Sequence, residues 1–207
     1  MESKVLNLEG KELRTITLKE NMFNVEFNDV LFKEVVQYHQ SNARGGLAKT
    51  KARWEMNWST KKVRKQKGSG RARAGSRGMP HWKGGYVVFG PTGRDYSYTI
   101  PKTKKRKALL MCLTNKLQEK QLIIVDSLDV EKPNTKYFLK VCENLNINEH
   151  ALFVDCDKND NFYFSMRNVI KFNFLPLMGL NVLSLAKANQ LVITENALKF
   201  LEEKYEI

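Results

Sequence analysis

"QLVITENALKFLEEKY", residues 190–205, carries the architecture of the whole chain in one short stretch. "QLVIT" is a short β-rich apolar run without alternation, as expected of a strand covered on both faces. It leads directly into a closing helix, "ENALKFLEEKY". The same succession recurs upstream. "LIIVD" (122–126) is followed by a helix that Pro133 opens at its first position and that runs through Phe138, Val141 and Cys142. "ALFVDC" (151–156) precedes a shorter helical stretch around 161–168, and "VIKFNF" (169–174) precedes another around 181–188. Doubly buried strands separated by helices predict an α/β three-layer sandwich with a mostly parallel central sheet.

Ahead of these units, "KTKKRKALLMCLTNKLQEKQ" (102–121) places Leu109, Leu113 and Leu117 four apart, which predicts a helix. The chain opens with two short alternating runs, "KVLNLEG" (4–10) and "ELRTITL" (12–18), separated near Gly10-Lys11. "NDVLFKEVVQYHQSNARGG" (28–46) predicts a helix with Asn28 as N-cap, a stripe of Leu31, Val35 and Tyr38, and Gly45-Gly46 as its stop. No internal repeat is present.

From Gly45 to Pro101 this periodicity fails. A long segment without regular elements inside a compact domain is either functional or disordered. The expected organisation is therefore a globular α/β domain formed by 1–44 and 102–207, with an extended loop of 45–101 inserted in it. Charge follows the same division. Residues 44–107 hold 19 of the 35 Lys and Arg but only 2 of the 22 Asp and Glu, Glu55 and Asp95. That segment nets +17 and the remainder of the chain −4. A basic excess this localised points to an anionic partner.

Several function classes find no support. Cys112, Cys142 and Cys156 are odd in number, not closely paired, and set in apolar runs, as for buried reduced thiols in a reducing compartment. No apolar run approaches the ~20 residues of a membrane span, and "MESKVLNLEG" lacks a signal-peptide core. Gly70 and Gly75 have P-loop spacing, but Ser76-Arg77 stands where Lys-Ser/Thr is required. His39, His81 and His150 have no metal-ligand spacing, and no nucleophile has a recognisable base beside it. No metal, cofactor or catalytic site is expected.

The basic segment is more informative. "VRKQKGSGRARAGSRGMPHWKGG" (63–85) contains no carboxylate. Glycines at 68, 70, 75, 78, 84 and 85 would let its backbone approach a bulky surface. Trp54, Trp58 and Trp82 are interspersed. They could stack on unpaired bases while Lys and Arg neutralise phosphates, or they could pack locally and anchor the loop. Lys102, Lys104, Lys105, Arg106 and Lys107 crowd a predicted helix N-terminus, where cations oppose the helix dipole at a cost of roughly 0.3–1 kcal/mol each. A phosphate there would reverse the sign.

"RKQKGSGRARAGS", "HWKGG", "VVFGP", "RDYSYTIPK" and "KKRKALL" together resemble, in order, the long loop of the bacterial form of large-subunit ribosomal protein four. "LSLAKANQLVITENALKFLEE" resembles the C-terminal strand and helix of that family. The resemblance implies a structural, non-enzymatic component of the large ribosomal subunit in the cytoplasm, bound to large-subunit ribosomal RNA. Its long loop would reach the constriction of the peptide exit tunnel, beside neighbouring large-subunit proteins and the nascent peptide. The tip would be Lys65, Gln66, Lys67, Gly68, Ser69 and Gly70. The RNA-binding set would be Arg44, Lys49, Lys51, Arg53, Lys61, Lys62, Arg64, Arg71, Arg73, Arg77, Trp82, Lys83 and Arg94 on the loop. Lys102, Lys104, Lys105, Arg106 and Lys107 would complete it at the helix start. A free regulator binding its own messenger is the alternative that some family members suggest. One departure stands out: Val63-Arg64 occupies the place where the family commonly has Pro-Trp.

Overall fold

A computed structural model of the chain describes residues 2–130, 132–147 and 150–205. Strands β1 (Glu2–Leu6) and β2 (Glu12–Thr17) form an antiparallel hairpin. Its turn is closed by the Asn7 N–H on Lys11 O (2.9 Å) and the Gly10 N–H on Asn7 O (2.8 Å). Gly10 sits at φ +80°, and a Cβ there would stand 2.5 Å from Asn144 O, so both backbone conformation and space require glycine. Strands β3 (Leu122–Val125), β4 (Ala151–Asp155), β5 (Phe172–Pro176) and β6 (Gln190–Thr194) complete a six-stranded sheet in the order β2-β1-β3-β6-β4-β5. Every pairing except β1–β2 is parallel.

Successive residues of the central strands feed two different apolar layers, which explains why these runs show no alternation. Ile124, Leu152, Val154, Leu191 and Ile193 face one layer, and Val125, Ala151, Phe153 and Val192 the other. The first layer is built with α1 (Glu20–Phe23), α2 (Asp29–Ala43), α3 (Lys102–Gln118), α6 (Val182–Lys187) and α7 (Glu195–Tyr205). The second uses α4 (Thr135–Asn144) and α5 (Asp160–Met166). It is notably aromatic. Phe138, Phe153, Phe162 and Phe172 meet largely edge-to-face, with ring centroids 5.3–6.1 Å apart. The fold is the expected three-layer α/β sandwich.

Asparagines set most helix starts. Asn28 Oδ1 accepts from the N–H groups of Val30 (3.0 Å) and Leu31 (3.1 Å), capping α2 as expected. Asn134, not Pro133, begins α4: its Oδ1 accepts from Lys136 N–H at 3.0 Å, so the proline precedes the cap instead of occupying the first helical position. An asparagine supplies an acceptor for the orphan N–H groups, whereas a proline only sets φ. Asn159 and Asn181 cap α5 and α6 in the same way. The strand expected at Val169 starts three residues later, at Phe172. Val169 belongs to the turn closing α5, its N–H on Met166 O (2.8 Å), and Ile170 is 93% exposed. The single-turn α1 and a 3-10 turn at Leu177–Gly179 are too short to show a period.

Thr194 ends β6 and starts α7, its Oγ1 accepting from Ala197 N–H (3.3 Å) and donating to Asp155 Oδ1 (2.9 Å). The next residue, Glu195, is buried at the positive end of that helix. Lys199 Nζ (2.6 Å) and Arg14 Nε (2.9 Å) compensate its carboxylate. The bond from Lys199, with Arg14 adding to it, holds the Glu195 carboxyl below its ordinary value against the opposing effect of burial.

The chain divides into two compact units, Met1–Gln40 with Tyr98–Ile207, and Ser41–Ser97. Among the described residues, neither apolar layer of the first unit contains a residue of the second.

Candidate nucleic-acid interface

Beyond the end of α2 at Ala43, the second unit contains one regular element among its described residues, a 3-10 turn at Arg53–Glu55. Like charges and glycines disfavour both helix and strand, and isolated backbone bonds take their place. Thr50 N–H donates to Pro91 O (3.0 Å), Val63 N–H to Gly75 O (3.0 Å) and Tyr86 N–H to Gly78 O (3.1 Å). Close approach within the unit consumes some of its glycines. A Cβ on Gly78 would stand 1.9 Å from the Trp58 ring, and one on Gly46 (φ +58°) would stand 2.0 Å from Arg94 O. Gly68 and Gly70, both at positive φ, have nothing within 4 Å of a Cβ and face open space. Among the described hydrophobic residues of this unit, Ala74 alone is buried.

The tryptophans divide between two roles. Trp58 packs on Gly78 and on Tyr86, with ring centroids 6.3 Å apart. Trp82 is half-buried in a turn, its backbone N–H on Met79 O (3.0 Å) and its own carbonyl accepting from Gly85 N–H (2.9 Å). Its indole Nε1 is buried with no acceptor. Trp54 is different: it is 84% exposed.

The cations face solvent. Arg44, Lys49, Lys51, Arg53, Lys61, Lys62, Arg71, Arg73, Arg77, Lys83 and Arg94 are exposed, and only Arg64 is half-buried, its Nη1 on Ala72 O (3.4 Å). The expected tip, Lys65 to Gly70, is exposed throughout, with Lys62 Nζ donating to Gln66 Oε1. Tyr96 carries the guanidinium groups of Arg44 and Arg94 over its ring, 4.0 and 4.2 Å from the centroid. Tyr96 lies within "RDYSYTIPK", and an aromatic two residues after Arg94 is the sequence cue to this role. Both acids of the segment are engaged. Lys49 bonds Glu55, whose second oxygen accepts Ala52 N–H (3.0 Å), and these contacts hold the Glu55 carboxyl below its ordinary value. Asp95 accepts from Ser97 Oγ (2.7 Å) and N–H (2.9 Å), which lower it likewise.

In the first unit, α3 begins with Pro101 in extended conformation, with no side-chain cap and no acid in the first turn. Two of its cations are steadied by α2. Lys104 pairs with Glu34 (2.7 Å), and Lys105 Nζ bonds Tyr38 OH (2.5 Å) while lying 4.1 Å over its ring. Lys102 and Lys107 are exposed. The Arg106 guanidinium lies 5.1 Å over the Tyr205 ring, and its Nε and Nη2 are buried without an acceptor. His39, Lys102, Lys105, Arg106, Asn181 and Tyr205 line a cleft of about 350 Å³ here. Burial, with the charge of Lys105 second, holds His39 below its ordinary value. The helix start thus joins uncapped N–H groups to a cationic cleft, a chemistry suited to phosphate.

A crevice of opposite sign lies at the C-terminal ends of β3, β4 and β6. It measures about 550 Å³ and is lined by Asp126, Asp129, Asp155, Asp157 and Asp160, with Lys158. Its acidity repels phosphate. Among the described residues, no three His, Cys, Asp or Glu side chains converge as a metal site, and no helix is long and apolar enough to cross a membrane. All three cysteines are unpaired. Burial pushes the thiols of Cys112 and Cys142 up to about 11 and about 12, while Cys156 is only partly buried.

Known proteins similar to this chain place it in a family. The family model for the ribosomal protein L4/L1 family matches residues 16–204. A large ribosomal subunit protein uL4 from Alkaliphilus oremlandii is 39% identical over 201 residues, covering 97% of both chains. The protein of the same name from Flavobacterium psychrophilum is 42% identical over 206 residues, covering 98% of both. That from Finegoldia magna is 37% identical over 202 residues, again covering 98% of both.

Proposed function

Because the chain belongs to the ribosomal protein L4/L1 family, we propose that it is a structural constituent of the large ribosomal subunit in the cytoplasm, held there by large-subunit ribosomal RNA. The family is one of ribosomal proteins and not of enzymes, so no reaction is assigned. The observation that carries RNA binding is the state of the charges in 41–97. Fourteen Lys and Arg face two acids, and both acids already have partners within the unit. The surplus cations are exposed on a backbone with almost no apolar core, so an extended polyanion is the partner that satisfies them. The α3 start, with its uncapped N–H groups and the cleft around Arg106, adds a second anchor on the globular unit.

Within 45–101, Arg71, Arg73 and Arg77 act as the gripping stalk, since each exposed guanidinium can hold phosphate with two donors. Lys65 to Gly70 form the tip, directed to the exit tunnel and the nascent peptide beside neighbouring subunit proteins. The exposure of these six residues and the open space around Gly68 and Gly70 are compatible with a tip that grips little. In a solvent-filled tunnel its charge is screened.

Parallel incorporation assays test this assignment. Replacing Arg71, Arg73 and Arg77 together by Ala should weaken subunit assembly, at roughly 1.5–3 kcal/mol per charged hydrogen bond lost and less than additively. Changing Lys65 and Lys67 to Glu should leave incorporation nearly intact and alter binding of small molecules lodged in the tunnel. A tip variant that fails to assemble beside a stalk variant that assembles normally reverses the placement.

A further inference from the structure

The aromatic side chains of 41–97 are not equivalent, and their exposure separates them. Trp58 and Tyr86 pack on each other and Trp82 is half-buried in its turn, so these rings serve the unit's own structure. Phe89 is 99% exposed and Trp54 84% exposed. Phenylalanine has no polar edge to hydrate, and Val87 and Val88 before it are each 52% exposed. In a monomer such a projecting ring is unfavourable in water, and it marks a surface meant to be covered.

We propose that Phe89 and Trp54 are stacking platforms for unpaired bases of the large-subunit RNA. This rests on the reading of 41–97 as an RNA-binding unit, and it adds a contact that cations cannot make. Charge selects the occupant. Phe89 lies in a stretch with no acid between Glu55 and Asp95. Arg94 lies five residues after it, and Trp54 lies three residues past Lys51, between Arg53 and a Glu55 already paired with Lys49. A partner covering these rings must present negative charge beside a flat apolar face, and single-stranded RNA supplies both, phosphate and base.

Local geometry keeps the platforms in place. Trp54 stands within the 3-10 turn Arg53–Glu55, fixed by Glu55 accepting Ala52 N–H at 3.0 Å and bonding Lys49. Phe89 precedes Gly90, where a Cβ would stand 1.8 Å from Thr50 Oγ1, and Thr50 N–H holds the next residue through Pro91 O (3.0 Å). The chain on the C-terminal side of Phe89 is thus braced against the 50s while its ring stays uncovered.

The test uses the full-length protein and a transcript of bacterial large-subunit RNA, with affinity measured across a salt series. Phe89→Ala and Trp54→Ala should each weaken binding about fivefold to hundredfold. The slope of log affinity against log salt should not change, because no cation is removed. Phe89→Trp should bind like the parent, and Phe89→Leu, apolar but without a π face, should be as weak as Phe89→Ala. Since Phe89 is 99% and Trp54 84% exposed, none of these changes disturbs packing. The triple Arg71→Ala, Arg73→Ala, Arg77→Ala variant is run beside them to report on the underlying reading. If it shows weakened binding and a flattened slope while Phe89→Ala or Phe89→Leu binds like the parent, the platform is wrong and RNA binding stands. Parental affinity and slope in the arginine triple overturn the RNA-binding reading, and the platform falls with it.

Discussion

The two units solve the problem of order in opposite ways. In the first, Phe153, Val154, Val192 and Leu191 have no accessible surface at all, and the apolar residues of the central strands each face one of two apolar layers. In the second, Ala74 is the single buried hydrophobic side chain among the described residues, and thirteen of the fourteen cations are exposed. Fixing a backbone costs roughly 1–2 kcal/mol per residue, and the first unit offsets this by burying apolar surface. The second buries too little to do the same. Under the proposed function, its order comes from the RNA that neutralises its charge. A chain can therefore carry a segment whose folding energy resides in another molecule.

The largest expected effect separates the units by salt. If eight to ten cations meet phosphate, log affinity for large-subunit RNA should fall against log salt with a slope of roughly −6 to −9. Replacing 46–97 by a short Gly-Ser linker should remove most of both affinity and slope. The globular unit should remain folded, since neither apolar layer includes a residue of 41–97. A deletion variant with parental affinity and slope would falsify the division of labour.

A second comparison removes a core ring. Phe153→Ala empties the centre of the aromatic layer, where the rings of Phe138, Phe162 and Phe172 pack around it, and should cost about 3–5 kcal/mol. Hydrogen exchange in the free protein reads both units at once. Amides of β3, β4 and β6 should be protected and should lose protection in this variant. Amides of 46–97 should exchange fast in both proteins. Slow exchange of 46–97 without RNA would show that the second unit orders itself.

The smallest effect sharpens the electrostatics of the first unit. Arg14→Ala leaves the buried Glu195 with Lys199 alone and should lower stability only slightly, because solvent screens the exposed Arg14 guanidinium. The folded-state value of Glu195 is depressed, so its contribution is complete above the ordinary carboxylate value of 4.5 and is lost as pH falls through the folded value. Thermal melts between about pH 3 and pH 6 should show this loss. Glu195→Gln should be less stable at neutral pH and less sensitive to acid. A parental acid profile in Glu195→Gln would assign the loss to other carboxylates.

Much of the fold was legible before any coordinates. "QLVIT" and "ENALKFLEEKY" coincide with β6 and α7 residue for residue, because a doubly buried strand and a capped helix each have a strong local signature. Pro133 misled because a neighbouring asparagine competes for the same helix start. Val169 and Ile170 misled because β-propensity says nothing about whether a partner strand is in reach, and here α5 needs those residues to turn. The site was legible as composition, in cations without acids, and not as geometry.

Composition and periodicity by themselves determined the α/β class, the parallel sheet and the confinement of basic charge to one segment, since each follows from residue types along the chain. The tertiary structure alone decided which groups are left over for a partner. Folding sets Glu55 against Lys49, spends Gly78 on Trp58, packs Trp58 on Tyr86, and leaves Phe89 and Trp54 bare. These outcomes depend on what lies across a gap in space, and sequence spacing carries no measure of that distance.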